Sequence, residues 1–479
     1  MNGVQSWLQG YVCRELGQDY GQYLLRDQAD TIRLYDFYEG RGQDWDIAAG
    51  LDYKPNKTLV NHTKKLIHKV AGFMFGRAPE ITLTPAGDDE HNAARVAELE
   101  QHLREVLEGN GWKKRLLKAG RDCAIGKRVA LKIGLGAEGA LRIRFRPSVE
   151  FFHDVTCDDD EKLSRIIFAY GMNDAKEPDA QRIWVQSYRM EGGKCLWSEG
   201  IYNGYGTLME DRGQEQDSGL AGLPAYVILN DGTTSDVLGE SDVCKLRALQ
   251  TDYNHLMSDD QDALKFNMFP QTVFTDAAED CMKSVKISPG AMVDLQTDSS
   301  KVDAQAKVDK LESKFAYNDR FQNALDTVLK DMYALMCCPQ VTVEYLKAAG
   351  ISGKAMKALY WDLTCLCEER WAEWDTALEW MVREIVRQEK LYKLGDWTGC
   401  KFTIHIEHLY PIADDEDEER QLDMQEVGMQ VRSRASYLDK WQPSADAEEE
   451  LERIAKEKQL LEESYMADAS WKEEKKNEA

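Results

Sequence analysis

The 479 residues contain no run of about 20 apolar residues. No helix is therefore expected to cross a membrane. The first twenty residues, MNGVQSWLQGYVCRELGQDY, lack a basic stretch followed by an apolar core, so they do not read as a secretory leader. Basic charge is scarce: 60 Lys and Arg stand against 85 Asp and Glu, a net charge of −25. A face that wraps nucleic acid by neutralising phosphates is not expected from that balance. An acidic wall past which a polyanion slides is compatible with it, because like charges repel and salt screens them within about 8–10 Å. The eleven cysteines are odd in number and fit neither zinc nor thioredoxin spacing, with Cys337 next to Cys338 and Cys365 one residue from Cys367. They are expected to be reduced, mostly buried thiols of a cytosolic product. Glycine and proline are missing from 291–338 and again from 354–394. These gaps predict long helices, with 301–338 read as one of them and the second, at about 1.5 Å per residue, reaching about 60 Å.

Between Asn61 and Ile81 the sequence does say something local. Leu66, Ile67, Val70, Phe73 and Met74 recur at helical spacing, and Asn61 is placed to cap the helix. Phe75-Gly76-Arg77-Ala78-Pro79 ends it, and Ile81, Leu83 and Pro85 open an extended segment. A charged helix is predicted from about Glu90 to Glu108, and another begins near Gly111. Arg128–Ile133 and Leu141–Phe145 read as a hairpin; further strands are expected at Arg165–Tyr170, Arg182–Tyr188, Lys194–Ser198 and Ala225–Leu229. Residues 1–230 are thus a mixed α+β region with an antiparallel meander. The pattern then changes. Ser241–Leu264 is a helix with Val243, Leu246, Leu249, Tyr253 and Leu256 on one face. A short β-like segment follows, with strands at Gln271–Phe274 and Val285–Ile287. Met356, Tyr360, Leu363, Cys367, Trp371, Trp374, Leu378, Met381 and Ile385 form the apolar stripe of the long helix, and Lys401–Ile406 is a strand.

Several stretches suggest chemistry and are better explained structurally. His405 and His408 are three apart in a predicted strand and point to opposite faces, unlike the i, i+4 helical pair of metalloproteases. Asp158-Asp159-Asp160-Glu161 and the acidic run 414–419 are consecutive, whereas magnesium ligands converge from separate elements. The first run reads as a loop tip and the second as a helix start favoured by the dipole. A metal-dependent DNA-processing enzyme, such as a nuclease, is the alternative these runs raise. Gly134, Gly136 and Gly139 lie between antiparallel strands, so they read as a hairpin turn and not as a dinucleotide loop. Ser352-Gly353-Lys354 lacks the earlier glycine and the hydroxyl residue of a phosphate loop, and Ser352 reads as a helix cap. Trp361, Trp371, Trp374 and Trp380 read as core and subunit-interface anchors. No catalytic residue, metal or cofactor is assigned.

Helix, Phe-Gly-Arg-Ala-Pro, strand, two helices around a β insert, and Ser-Gly-Lys-Ala-Met-Lys before a long helix: this order resembles the portal proteins of tailed double-stranded DNA bacteriophages, of the siphophage type. The resemblance implies an α+β, mainly helical portal fold. It implies a mixed wing over 1–240, stem helices at 241–264 and 306–338, a clip at 265–305 and a tunnel loop at 339–352. A second wing part at 353–411 carries the long helix, and a helical crown spans 412–479. It also implies a dodecameric ring at one capsid vertex of the virion, assembled in the host cytoplasm, through which the genome is packaged and ejected. Its partners would be double-stranded DNA, the terminase large subunit, head–tail adaptors, and scaffolding and major capsid proteins. DNA-facing residues would be Gln340, Thr342, Glu344, Tyr345, Lys347, Ser352 and Lys354, and clip residues meeting partners would be Phe269, Gln271, Phe274, Lys283 and Lys286.

Overall fold

The structure is a computed structural model that describes residues 2–45, 53–87, 89–136, 138–268, 271–275, 297, 307–311, 318–341, 353–412, 416–441 and 450–458. The chain divides into two compact units, Met1–Gln340 with Trp361–Pro411, and Val341–Tyr360 with Ile412–Ala479.

In the first unit, helices α1 (Asn2–Leu16) and α2 (Gln18–Tyr38) are followed by α3 (His62–Phe75), which the Asn61 side chain caps by accepting the Lys64 N–H at 2.8 Å. Strand β1 (Glu80–Pro85) comes next, then α4 (Glu90–Gly109) and α5 (Trp112–Gly126). Strands β2 (Arg128–Leu135) and β3 (Leu141–Pro147) form the expected hairpin, with Gly139 at φ +78° in its turn. An antiparallel sheet of β4 (Phe151–Thr156), β5 (Asp159–Gly171), β6 (Ile183–Glu191), β7 (Lys194–Tyr202) and β8 (Leu208–Asp217) follows in simple sequence order. Strands β4 and β8 were not legible in the sequence. β4 runs directly on from the turn after β3, and β8 is mostly exposed and carries no apolar alternation. Strand β9 (Ala225–Leu229) returns to β2, giving the order β3-β2-β9.

Both faces of the five-stranded sheet are covered. On β5, Ile167 and Ala169 face the α1–α2 layer through Val12, Leu16 and Leu24, while Ile166 and Phe168 face the smaller sheet through Ala130 and Ala225. Period-two alternation lets a single strand serve two cores. Buried Asp27 is paired: it lies between Lys127 and Arg128, with Arg128 Nη1 at 2.8 Å and the guanidinium over the Phe151 ring. Burial would raise the Asp27 carboxyl, but the two cations outweigh it and hold it below the usual range.

Helix α6 (Asp242–Met268) leads to strand β10 (Gln271–Thr275), which pairs antiparallel with β11 (Lys307–Leu311). Helix α7 (Asn318–Leu335) then packs against α6. Here the sequence reading needs correction. The helix expected from 301 begins only at Asn318, and 307–311 is a strand. A stretch without glycine or proline is free to be helical but is not compelled to be. The cross-strand ladder with 271–275 supplies the backbone partners that decide it. The strand expected at 285–287 lies outside the described residues. The long helix is also interrupted. Gly353–Leu359 forms α8, in the second unit, and Trp361–Tyr392 forms α9, in the first, with Tyr360 as a turn between them whose N–H still bonds the Met356 carbonyl at 3.1 Å. No glycine or proline marks that break. The stripe on α9 is as expected: Leu363, Cys367, Trp371, Trp374, Leu378, Met381 and Ile385 are buried, whereas Trp361 is 66% exposed. Strand β12 (Phe402–Glu407) pairs antiparallel with β1, joining residues more than 300 positions apart.

The second unit contains α8, α10 (Glu416–Gly428) and α11 (Arg434–Trp441). Asp423 holds α10 and α11 together, accepting from Arg432 at 2.7 Å, from Trp441 Nε1 at 2.8 Å and from Lys440 at 2.9 Å.

Ten cysteines in the described residues are free thiols. Four are buried, so the expectation of mostly buried thiols is met only in part. Burial pushes the Cys367 thiol up to about 12 and Cys338 up to about 11.

Packing of α3 on α5 sets a test. A β-carbon at Gly120 would lie 2.3 Å from the Phe75 ring, which also meets Trp371 and Trp374 with ring centres 5.2 and 4.7 Å away. On helix propensity alone Gly120→Ala should stabilise by about 1 kcal/mol. Overpacking costs about 1–3 kcal/mol and should win. A lower urea midpoint with unchanged slope is the expected result; a higher midpoint would show that Phe75 is free to move.

Candidate functional site

The feature that singles out one part of the first unit is α6 with the hairpin it carries. Its root is polar and buried. Ser241 accepts the Val243 N–H at 3.1 Å and donates to the Ile125 carbonyl at 2.6 Å, so it caps the helix and ties it to α5. Asp242 is fully buried, and its carboxylate accepts twice from Arg370 of α9, at 2.8 and 3.0 Å. Asn230 adds a contact at 3.3 Å. Burial opposes the Arg370 charge, but the Asp242 carboxylate outweighs it and raises the guanidinium further.

Beyond Leu246 the buried ridge turns polar: Gln250, Asn254, Ser258 and Asp262 follow at every fourth residue. Sequence reasoning looked for an apolar face and missed this one. Its partners are the non-helical segment 56–60 and the first turn of α3. Gln250 Oε1 accepts from the N–H groups of His62 at 2.8 Å and Thr63 at 3.0 Å, and its Nε2 donates to the Val60 carbonyl at 2.9 Å. Ser258 accepts from Thr58 N–H at 3.0 Å, and Asp262 from Asn56 N–H at 3.0 Å and its side-chain amide at 2.7 Å. A segment outside any sheet and the first N–H groups of a helix both lack backbone partners, so an amide, hydroxyl and carboxylate row fits where leucines would not. The i, i+4 spacing of these four residues was the available signal.

The other end of the arm is fixed as well. Helix α7 ends in a turn where Cys337 has φ +50° and Cys338 N–H bonds the Tyr333 carbonyl at 2.9 Å. Lys69 of α3 donates to the Pro339 carbonyl at 2.7 Å, with its ammonium 5.3 Å from the Tyr333 ring centre. Gln340, just beyond, is exposed. Helix α6 has five Asp against three Lys and Arg, but Asp242 and Asp262 are buried, so its unburied charges balance; α7 has three Asp against two Lys and Arg.

Of the residues assigned to partner and DNA contact, Gln271 and Phe274 lie on β10, opposite Leu311 and Val308 of β11. Lys354 lies in α8. Phe269, Lys283, Lys286, Thr342, Glu344, Tyr345, Lys347 and Ser352 lie outside the described residues.

The bland readings can be checked against the fold. His405 is on β12 and exposed, while His408 lies past its end. The His408 ring stacks on Trp371 at 4.4 Å and meets Asp375 at 3.0 Å and Glu368 at 3.2 Å, a structural role rather than a strand position. Asp158 is in the turn between β4 and β5. Among the described residues no three His, Cys, Asp or Glu side chains stand where they could hold a metal.

Comparison with known proteins adds one finding. The family profile described as phage portal protein, SPP1 Gp6-like, matches residues 25–463, which include α6, the hairpin, α7 and α9. No curated protein matches the chain. A match of that extent, on a mixed α+β fold rich in helices, establishes the family: the chain belongs to the phage portal proteins, of the SPP1 Gp6-like kind.

Proposed function

We propose that this chain forms a dodecameric ring at one vertex of the capsid, and that the ring is the conduit for genome packaging and ejection. Family membership over residues 25–463 is the observation that carries this reading. The arm supports it: two helices enclose a β hairpin, and both roots are locked to the body by buried polar contacts. In this reading α6 and α7 are the stem and the hairpin is the clip. The clip then extends through β11 to residue 311, because β10 has its ladder partner there. Terminase and head–tail adaptors dock on the clip, and scaffolding and coat proteins surround the wing. The 339–352 segment narrows the channel, and 412–479 forms the crown.

The charge balance suits a conduit. DNA must be held centrally yet bound weakly, or translocation stalls. A net charge of −25 on each chain repels a polyanion at short range, and a few cations limit drift. A closed ring needs heterologous interfaces, one face of a subunit against a different face of the next. The chemistry of such a protein is positioning and not bond-making.

Three outcomes are expected. Negative-stain imaging with subunit counting should show closed rings of twelve with a central hole; a stable assembly without a channel would sink the proposal. Replacing 269–311 by a short linker should leave the body folded by circular dichroism yet abolish DNA filling of capsids. Filled capsids from that variant would mean that the hairpin does not dock the motor. Lys347→Glu should impair translocation or DNA retention while rings still form, since one or two phosphate contacts per subunit set affinity and not sequence preference. Loss of ring assembly in Lys347→Glu would instead make 339–352 an interface element.

A further inference from the structure

The β2–β3 hairpin carries a charge pattern that its own fold leaves unbalanced. Arg142, Arg144 and Arg146 alternate on β3, so they share one face, and Lys132 of β2 stands directly across from Arg144. Like charges directly opposite on a ladder destabilise it. Two of the arginines have their own acids: Glu138 for Arg142 and Glu150, at 2.9 Å, for Arg146. The central pair has none. Among the described residues Arg144 makes no ion pair, and it is exposed.

Lys132 is 9% exposed and contacts the neutral carbonyl of Gln186. Its ammonium sits among three rings, 4.7 Å from Phe168, 5.1 Å from Trp184 and 5.3 Å from Tyr188. The nearby carboxylate, Glu199, is already committed to Gln186 at 2.5 Å, Trp184 at 3.1 Å and Arg212 at 3.3 Å. Burial, with Arg146 adding to it, brings the Lys132 ammonium down to about 7. Lys132 and Arg144 both line a cavity of about 610 Å³ between this hairpin and the five-stranded sheet, with Trp184, Tyr188 and Trp197 among its walls. A chain with 25 more acids than bases has here two adjacent cations, one buried, aimed into open volume without an acid of their own.

We propose that this cavity is an oxyanion-binding site, in which Lys132 and Arg144 together hold one phosphate or carboxylate group against aromatic walls. The guanidinium supplies paired N–H donors at the mouth and the ammonium a point charge at the floor. A bound oxyanion supplies the acid that the Lys132–Arg144 pair lacks. The group is either that of a small solute or the side chain of an Asp or Glu from a second copy of this chain.

The test uses the full chain with inorganic phosphate and sulfate as probes. Calorimetric titration should give one saturable site per chain, and either ion should raise the melting temperature. Arg144→Gln should weaken that binding about tenfold or more, equivalent to about 1.4 kcal/mol. It should do so without lowering the melting temperature of the unliganded protein, because it removes a like-charge contact. Lys132→Met, which keeps the apolar stem among the rings, should weaken binding as well. Binding of free ions identifies a small solute. No ion binding, together with loss of self-association in Arg144→Glu but not in Arg142→Gln, identifies a carboxylate of a second copy. Ion binding that survives both substitutions, or no ion binding with self-association intact in Arg144→Glu, overturns the proposal.

Discussion

The buried pair between Asp242 and Arg370 is the constraint on which the rest of the first unit depends. It joins the first turn of α6 to the middle of α9, two elements more than 120 residues apart. Removing one partner of such a pair costs about 3–5 kcal/mol, because the other is left charged and buried. Replacing both with apolar residues is often neutral, so the pair's value lies more in specificity than in net stability. It fixes the rotation of α6. With Asp242 turned inward, the ridge of every fourth residue passes through Leu246 to Gln250, Asn254, Ser258 and Asp262. Such ridges run about 26° from the helix axis. Segment 56–60 and the first turn of α3 bond to this one, and an error in rotation at the root would strand their N–H groups.

Polar contacts of this kind differ in purpose from the apolar packing elsewhere. The wing core is held by shared strands: β5 serves two clusters, and α9 buries Trp371, Trp374 and Leu378 against the elements beneath. Apolar packing is non-directional and tolerates small slides. The hydrogen-bonded row on α6 is directional and tolerates none without loss of partners worth about 1–3 kcal/mol each.

Charge is distributed with the same economy. The chain is strongly acidic, yet its buried cations are placed individually: Arg128 on Asp27, Arg370 on Asp242, Lys132 among aromatic rings.

Much of this was written in the sequence wherever the pattern was local. The α3 helix, its Asn61 cap, the β2–β3 hairpin and the stripe on α9 depend on neighbours a few residues away, so periodicity revealed them. The order of elements, with Phe-Gly-Arg-Ala-Pro early and Ser-Gly-Lys late, was sufficient to indicate the portal family. Tertiary structure alone decided the rest. A stretch free of glycine and proline at 307–311 became a strand because 271–275 offered it a ladder. The α6 row became polar because backbone N–H groups without partners, in segment 56–60 and at the start of α3, lie upon it. His408 became a stacked, half-buried ring because Trp371 reaches it from 37 positions away. Lys132 and Arg144 face one another only because the hairpin register aligns them. Local sequence sets what a segment is able to be, and the partner that satisfies its backbone and its charge selects among those states.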